Sequence, residues 1–164
     1  LAALLQFTYV GAPLIFYGDE VGMWGADDPT NRKPMLWKDL EPYDRPEENH
    51  VMDAQLDFYR RAIALRNAHP ALRIGTLETI VCDDAADVWA FARTSPDERL
   101  IVVLNASGEA RTVRIPVPPD APATWHLVFG DAAAVPGGSA GVRDGALTVQ
   151  VPPVSGIVLH TPTP

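Results

Sequence analysis

The sequence predicts two kinds of structure in series. A strand–loop–helix unit fills residues 1–75, and an all-β antiparallel sandwich with Greek-key connections fills residues 76–164. Three observations predict this. Composition shifts near residue 75, with ten of the 16 prolines beyond it. Before that point a continuous apolar run, a long loop and a strongly periodic segment follow one another. Beyond it, seven short Val/Ile/Leu/Thr-rich runs recur at spacings of about 8–12 residues, separated by turn residues. The boundary falls between Arg73 and Thr76.

Leu1–Val10 reads as the end of a helix, stopped by Gly11 with Pro13 shortly after. Leu14, Ile15, Phe16 and Tyr17 form an apolar run without alternation, which suits a strand buried on both faces as in a parallel sheet. Gly18–Glu48 carries no sustained period and is rich in Gly, Asp, Pro and Asn. Loops this long are usually functional, and Trp24, Trp37 and Tyr43 argue for order, with Trp37 packed. Met52, Leu56, Tyr59 and Ile63 then mark one face of a helix, widened by Phe58, Ala62 and Leu65. Asn49 suits its N-cap and Pro70 its stop. Arg60, Arg61 and Arg66 sit late in it, where cations complement the helix dipole.

The strands expected beyond residue 75 are 77–82, 88–93, 100–105, 111–115, 125–129, 146–151 and 156–160. Asp83-Asp84, Ser95-Pro96-Asp97, Ser107-Gly108, Gly137-Gly138 and Asp144-Gly145 mark turns between them. Trp89 and Trp125 fall in strand patterns and are expected to face the core.

Charge narrows the function. With 13 Lys and Arg against 21 Asp and Glu the net charge is −8, so no phosphate-neutralising patch is available and nucleic acid is not an expected partner. The acidic balance also repels anionic lipid, and no apolar run reaches the roughly 18 residues of a membrane span. The single Cys82 excludes an internal disulfide and a multi-cysteine metal site, which fits a reducing compartment and a secreted chain equally. Leu1-Ala2-Ala3-Leu4-Leu5 lacks an initiator Met and a basic region, as in a piece of a longer chain.

Few residues suggest chemistry. Asp19 and Glu20 follow the apolar run, where residues past a strand's C-terminal end face a ligand; their ordinary role is to bind loop backbone. His50, His69, His126 and His160 show no metal spacing, and none is expected to be a ligand or base. Ser107, Ser139 and Ser155 lack the context of a nucleophile elbow. Gly137–Gly141 lacks the Lys of a phosphate loop.

Gly11-Ala12-Pro13-Leu14-Ile15-Phe16-Tyr17-Gly18-Asp19-Glu20-Val21-Gly22-Met23 resembles the segment spanning the eighth barrel strand of glycoside hydrolase family 13, the α-amylase family. Residues 27–37, from Asp27-Asp28-Pro29 through Asn31-Arg32-Lys33 to Trp37, are similar to the following loop in its cyclomaltodextrinase, neopullulanase and maltogenic amylase branch. Phe58–Arg66 with His69-Pro70-Ala71-Leu72-Arg73 resembles the eighth barrel helix and its exit into a C-terminal β-domain. The resemblance implies that residues 1–75 are the last strand–loop–helix unit of a (β/α)₈ TIM barrel. It implies that Asp28 and Arg32 hydrogen-bond glucose hydroxyls of an α-glucan substrate, by charge-assisted bonds. Trp24 is a candidate for stacking on a sugar face.

The resemblance also implies an absence. Retaining enzymes of this family work with paired carboxyl groups about 5–5.5 Å apart. Those groups and a third Asp follow the fourth, fifth and seventh barrel strands, so all three lie upstream of Leu1. The chain is then an inactive C-terminal piece of a hydrolase of maltooligosaccharides, cyclodextrins or pullulan. Its partner is the rest of its barrel, with no cofactor of its own and room for structural calcium upstream. Two rival readings are a non-enzymatic carbohydrate-binding sandwich, and a fragment of an α-glucosidase or trehalose-producing member of the family.

Overall fold

A computed structural model describes residues 1–29, 31–41 and 50–162. They include three helices, α1 (Ala2–Thr8), α2 (Asp53–Ala68) and α3 (Pro70–Ile74). Eight strands follow: β1 (Thr76–Asp83), β2 (Val88–Thr94), β3 (Glu98–Asn105), β4 (Arg111–Pro116), β5 (Thr124–Phe129), β6 (Ser139–Gly141), β7 (Ala146–Val151) and β8 (Ser155–Pro162). The chain forms two compact units, one of residues 13–63 and one of residues 1–12 with 64–164. The division differs from the compositional shift near residue 75 because α1 and the end of α2 group with the strands.

The larger unit is a sandwich. Strands β1-β2-β3-β8-β5-β6 form a six-stranded antiparallel sheet, and β4 pairs with β7 in a second sheet. The chain leaves the large sheet after β3 and after β6 and returns after β4 and after β7. Alternation does the rest. Val88, Ala90, Ile101, Val103, Ile157, Leu159 and Trp125 pack inward against Val113, Ile115, Leu147, Val149 and Val151. Phe91, Leu100, Val102 and Val158 occupy the opposite face of the large sheet and are also fully buried. Its central strands are therefore apolar on both sides, and Leu4 and Phe7 of α1 and Ala71 and Leu72 of α3 are buried too. Seven expected strands are present, and Trp125 is buried as expected. The eighth, β6, is three residues long and follows glycines 137 and 138, which hid it.

Polar groups stitch this unit together. Asn105 is fully buried at the end of β3. Its amide donates to the carbonyls of Glu109, Val151 and Pro152 at 2.8–3.1 Å, while its Oδ1 accepts from the Ser107 amide and hydroxyl. One side chain thus ties the β3–β4 turn to the β7–β8 turn. At Gly156 a Cβ would lie 2.8 Å from side-chain carbons of both Leu4 and Leu104, so glycine there lets α1 rest on β8.

The end of α1 is held by two arginines. Arg66, from α2, donates to the carbonyls of Phe7 at 2.8 Å, Tyr9 at 3.1 Å and Gly11. Arg93, from β2 and 1% exposed, donates to Thr8, to Gly75 at 3.0 Å and to Thr76 at 3.1 Å. A helix end leaves its last carbonyls without intrahelical partners, and the guanidinium fork supplies five donors. Burial is the first cause lowering both arginine pKa values; the charge of Arg73 adds to it at Arg66, and that of Arg66 at Arg93.

The smaller unit departs further from expectation. Leu14–Tyr17, expected as a buried strand, pairs with no strand among the described residues, and Leu14 and Phe16 are 77% and 57% exposed. A parallel strand needs neighbours for its ladder, and the described residues among 13–63 supply none. In α2, Ala62 and Leu65 are buried, but Ile63 and, just before the helix, Met52 of the expected apolar face are exposed. Trp37, expected to pack, is exposed as well. The unit's own core is Val21, Leu36 and Val51, flanked by Met23, Met35 and Leu56. Asn49 and Tyr43 lie outside the described residues. Pro70 ends α2 as expected and also opens α3, where its missing N–H is not needed.

Replacing Arg93 by Leu strands the buried Thr8 carbonyl and the part-buried carbonyls of Gly75 and Thr76. It is expected to lower the unfolding free energy by about 3–5 kcal/mol in denaturant titration, at roughly 1–3 kcal/mol per unsatisfied group. Arg60→Leu, which loses only an exposed i,i+3 pair with Asp57, is expected to cost under about 0.5 kcal/mol. Equal losses would show that the Arg93 bonds contribute little.

Candidate functional site

The residues singled out in the loop all lie in the smaller unit. Asp28 and Arg32 form a two-point ion pair, Nε to Oδ1 at 2.8 Å and NH2 to Oδ2 at 3.2 Å, with side chains 59% and 74% exposed. The Arg32 amide bonds the Pro29 carbonyl at 3.0 Å, so the turn places the partners four residues apart. The pair fixes the planar guanidinium and leaves an NH1 edge with unused donor capacity facing water. Such an edge suits vicinal hydroxyl groups.

Trp24 is 61% exposed, and the Lys33 ammonium lies 4.0 Å from its ring centre. Tyr17 donates to the Lys33 carbonyl at 2.9 Å, which anchors the strand of loop carrying both Lys33 and Arg32. One face of Trp24 is therefore taken by a cation. Any sugar stacking would use the other face or displace the lysine.

The Glu20 carboxylate binds loop backbone, while Asp19 contributes its main-chain carbonyl. They open a 3₁₀ turn, Asp19–Val21, flanked by Gly18 and Gly22, both at positive φ. Glu20 Oε2 accepts the Gly18 amide at 2.9 Å, and the Asp19 carbonyl accepts from Gln55. Burial, then the charges of Asp19 and Glu20, hold the Tyr59 hydroxyl above its ordinary pKa. No acid/base pair is formed by these two carboxylates.

The fold brings together two of the histidines that are far apart in the sequence. His69, Glu98 and His160 converge in the larger unit, with ligand-capable atoms all within 4.8 Å of one another. His69 Nδ1 lies 2.7 Å and His160 Nε2 3.3 Å from Glu98 Oε2. Glu98 Oε1 accepts the Ala71 amide at 2.9 Å. Burial first and His69 second lower the His160 pKa, while Glu98 opposes them. Residues 69, 98 and 160 sit on different elements, so no local spacing announces the cluster. The local hint was a buried acidic residue opening a strand with an apolar centre, Leu100–Leu104.

Comparison with known proteins follows the same outline. Residues 79–162, half of the chain, match the family "Alpha amylase, C-terminal all-beta domain". Over 125 residues the chain is 42% identical to neopullulanase 2 of Thermoactinomyces vulgaris, covering 76% of this chain and 20% of that protein. It is 35% identical to a cyclomaltodextrinase of Geobacillus thermopakistaniensis, covering 98% of this chain and 24% of the relative. The crystal structure of a debranching enzyme from Nostoc punctiforme superposes with a TM-score of 0.74 at 31% identity, over 98% of this chain and 30% of that one. The chain thus spans about a quarter of these relatives or less. It belongs to the α-amylase family, whose C-terminal all-beta domain occupies residues 79–162.

Proposed function

We propose that this chain is the C-terminal portion of a retaining α-glucan hydrolase acting on maltooligosaccharides, cyclodextrins or pullulan. It contributes a substrate-cleft loop and a β-domain but no catalytic carboxylate. The observation that carries this reading is coverage: 98% of the chain aligns with about a quarter of a cyclomaltodextrinase. In this reading residues 1–75 complete a (β/α)₈ barrel and residues 76–164 form the domain beyond it. Leu14–Tyr17 become its eighth strand, and the exposed Leu14, Phe16, Met52 and Ile63 meet the remainder of the barrel.

Asp28 and Arg32 serve as a sugar clamp. Asp28 holds the guanidinium plane, and Arg32 presents its free edge to adjacent glucose hydroxyls on the non-reducing side of the scissile bond. Trp24 lines the same loop. Binding energy spent there positions the glycosidic bond for carboxylates supplied upstream. The rival reading, a free-standing carbohydrate-binding sandwich, lacks an aromatic platform: among the described residues Trp125 and Phe129 are buried and Trp89 packs on Phe91 and Tyr9.

The purified chain is expected to release no product from maltotriose or β-cyclodextrin, and turnover above background by homogeneous material overturns the assignment. In the longer enzyme, Arg32→Ala is expected to lower kcat/KM on cyclodextrin about 10- to 100-fold, the loss of one or two charge-assisted hydrogen bonds. Asp28→Asn is expected to lose part of that amount, because it releases the guanidinium without removing it. An unchanged kcat/KM for both removes the clamp from the mechanism.

A further inference from the structure

We propose that His69, Glu98 and His160 form a binding site for a divalent transition-metal ion of the zinc type, joining α3 to the central strands of the large sheet. The three side chains reach the site by independent routes. His69 is the residue before Pro70 and caps α3. Glu98 opens β3, and His160 lies in β8, the strand paired with it. Glu98 stands opposite Pro162 and Leu100 opposite His160, so Glu98 and His160 are diagonal neighbours on one face of the sheet.

The carboxylate is already aimed. Its Oε1 is pinned to the Ala71 amide, which leaves Oε2 directed at Nδ1 of His69 and Nε2 of His160, 2.7 and 3.3 Å away. Tetrahedral zinc with bonds of about 2.0–2.2 Å spaces its ligand atoms about 3.4 Å apart. Atoms now within 4.8 Å of each other reach that spacing by side-chain shifts of about 1 Å, with the ion replacing the protons shared along the cluster. Two imidazoles and a carboxylate are the donor set of zinc and its neighbours, whereas calcium and magnesium demand oxygen. The side chains are 15%, 10% and 24% exposed, sheltered from bulk water yet reachable by an ion.

The fourth coordination position has a neighbouring candidate in register, though not in the cluster itself. His126 in β5 is the direct register partner of His160 and shares its face, with Nδ1 3.0 Å from the Ser139 hydroxyl. Rotation of that exposed ring, or a water molecule, completes four-coordination. The ion would cross-link a helix cap to two or three strands, and its effect would be on stability.

Titration of the intact protein with zinc chloride alone near pH 7.5 tests this. The expected result is one equivalent bound per chain, with a rise in Tm that grows with zinc concentration. Cobalt(II) should give the visible absorption bands of a four-coordinate nitrogen–oxygen site, abolished by added zinc, and calcium chloride should give neither effect. The double variant H69Q/H160Q should bind zinc about 100-fold more weakly or not at all, while H50Q, far along the chain from all three ligands, binds as the parent does. Absence of zinc uptake and of cobalt bands in the unaltered protein overturns the proposal whatever the variants do. Undiminished zinc binding by H69Q/H160Q overturns it as well.

Discussion

Four consecutive or near-consecutive carbonyls at the end of α1, those of Phe7, Thr8, Tyr9 and Gly11, accept hydrogen bonds from the buried guanidinium groups of Arg66 and Arg93. The rest of the larger unit depends on this. The two guanidinium groups also carry bonds to Gly75 and Thr76, so α1, the end of α2, the start of β1 and β2 are fastened at one point. Two positive charges are buried near one another there, and their mutual repulsion is tolerable only because carbonyl dipoles surround them. Removing either arginine exposes the cost of desolvation without the bonds that offset it.

With α1 and α3 in place, the large sheet has two apolar faces to bury instead of one. This explains why Phe91, Leu100, Val102 and Val158 are as deeply buried as the residues facing the small sheet. Glycine at position 156 follows from the same close approach, since any side chain there meets Leu4 and Leu104. The smaller unit obeys a different economy: three buried residues form its core, while large apolar side chains at 14, 16, 24, 37 and 40 stay exposed.

How much of this was readable differs from segment to segment for physical reasons. Seven strands of the sandwich were legible because each is short, largely apolar or alternating, and punctuated by Asp, Gly and Pro, whereas the three-residue β6 was not. Local chemistry decides such elements. Leu14–Tyr17 has the composition of a buried parallel strand, yet strandhood is a property of the ladder, and the described residues among 13–63 provide no neighbour. Met52, just before α2, and Ile63 within it repeat that lesson, since periodicity says which residues want burial and not whether a partner is at hand. Asp28 and Arg32 drew attention through the family resemblance, and the structure pairs them as an exposed i,i+4 ion pair. His69, Glu98 and His160 were not, because strand pairing across 62 residues and a helix cap bring them together.

Under the proposed function the larger unit is self-sufficient, and the exposed apolar side chains of residues 13–63 would be covered by the rest of a barrel. Hydrogen exchange on the isolated chain tests it most directly. Amides of β2, β3 and β8 should exchange only through global unfolding, whereas those of residues 14–41 should exchange orders of magnitude faster and slow when the same residues are measured within the longer enzyme. Protection of residues 14–17 in the isolated chain equal to that of β3 would contradict the account.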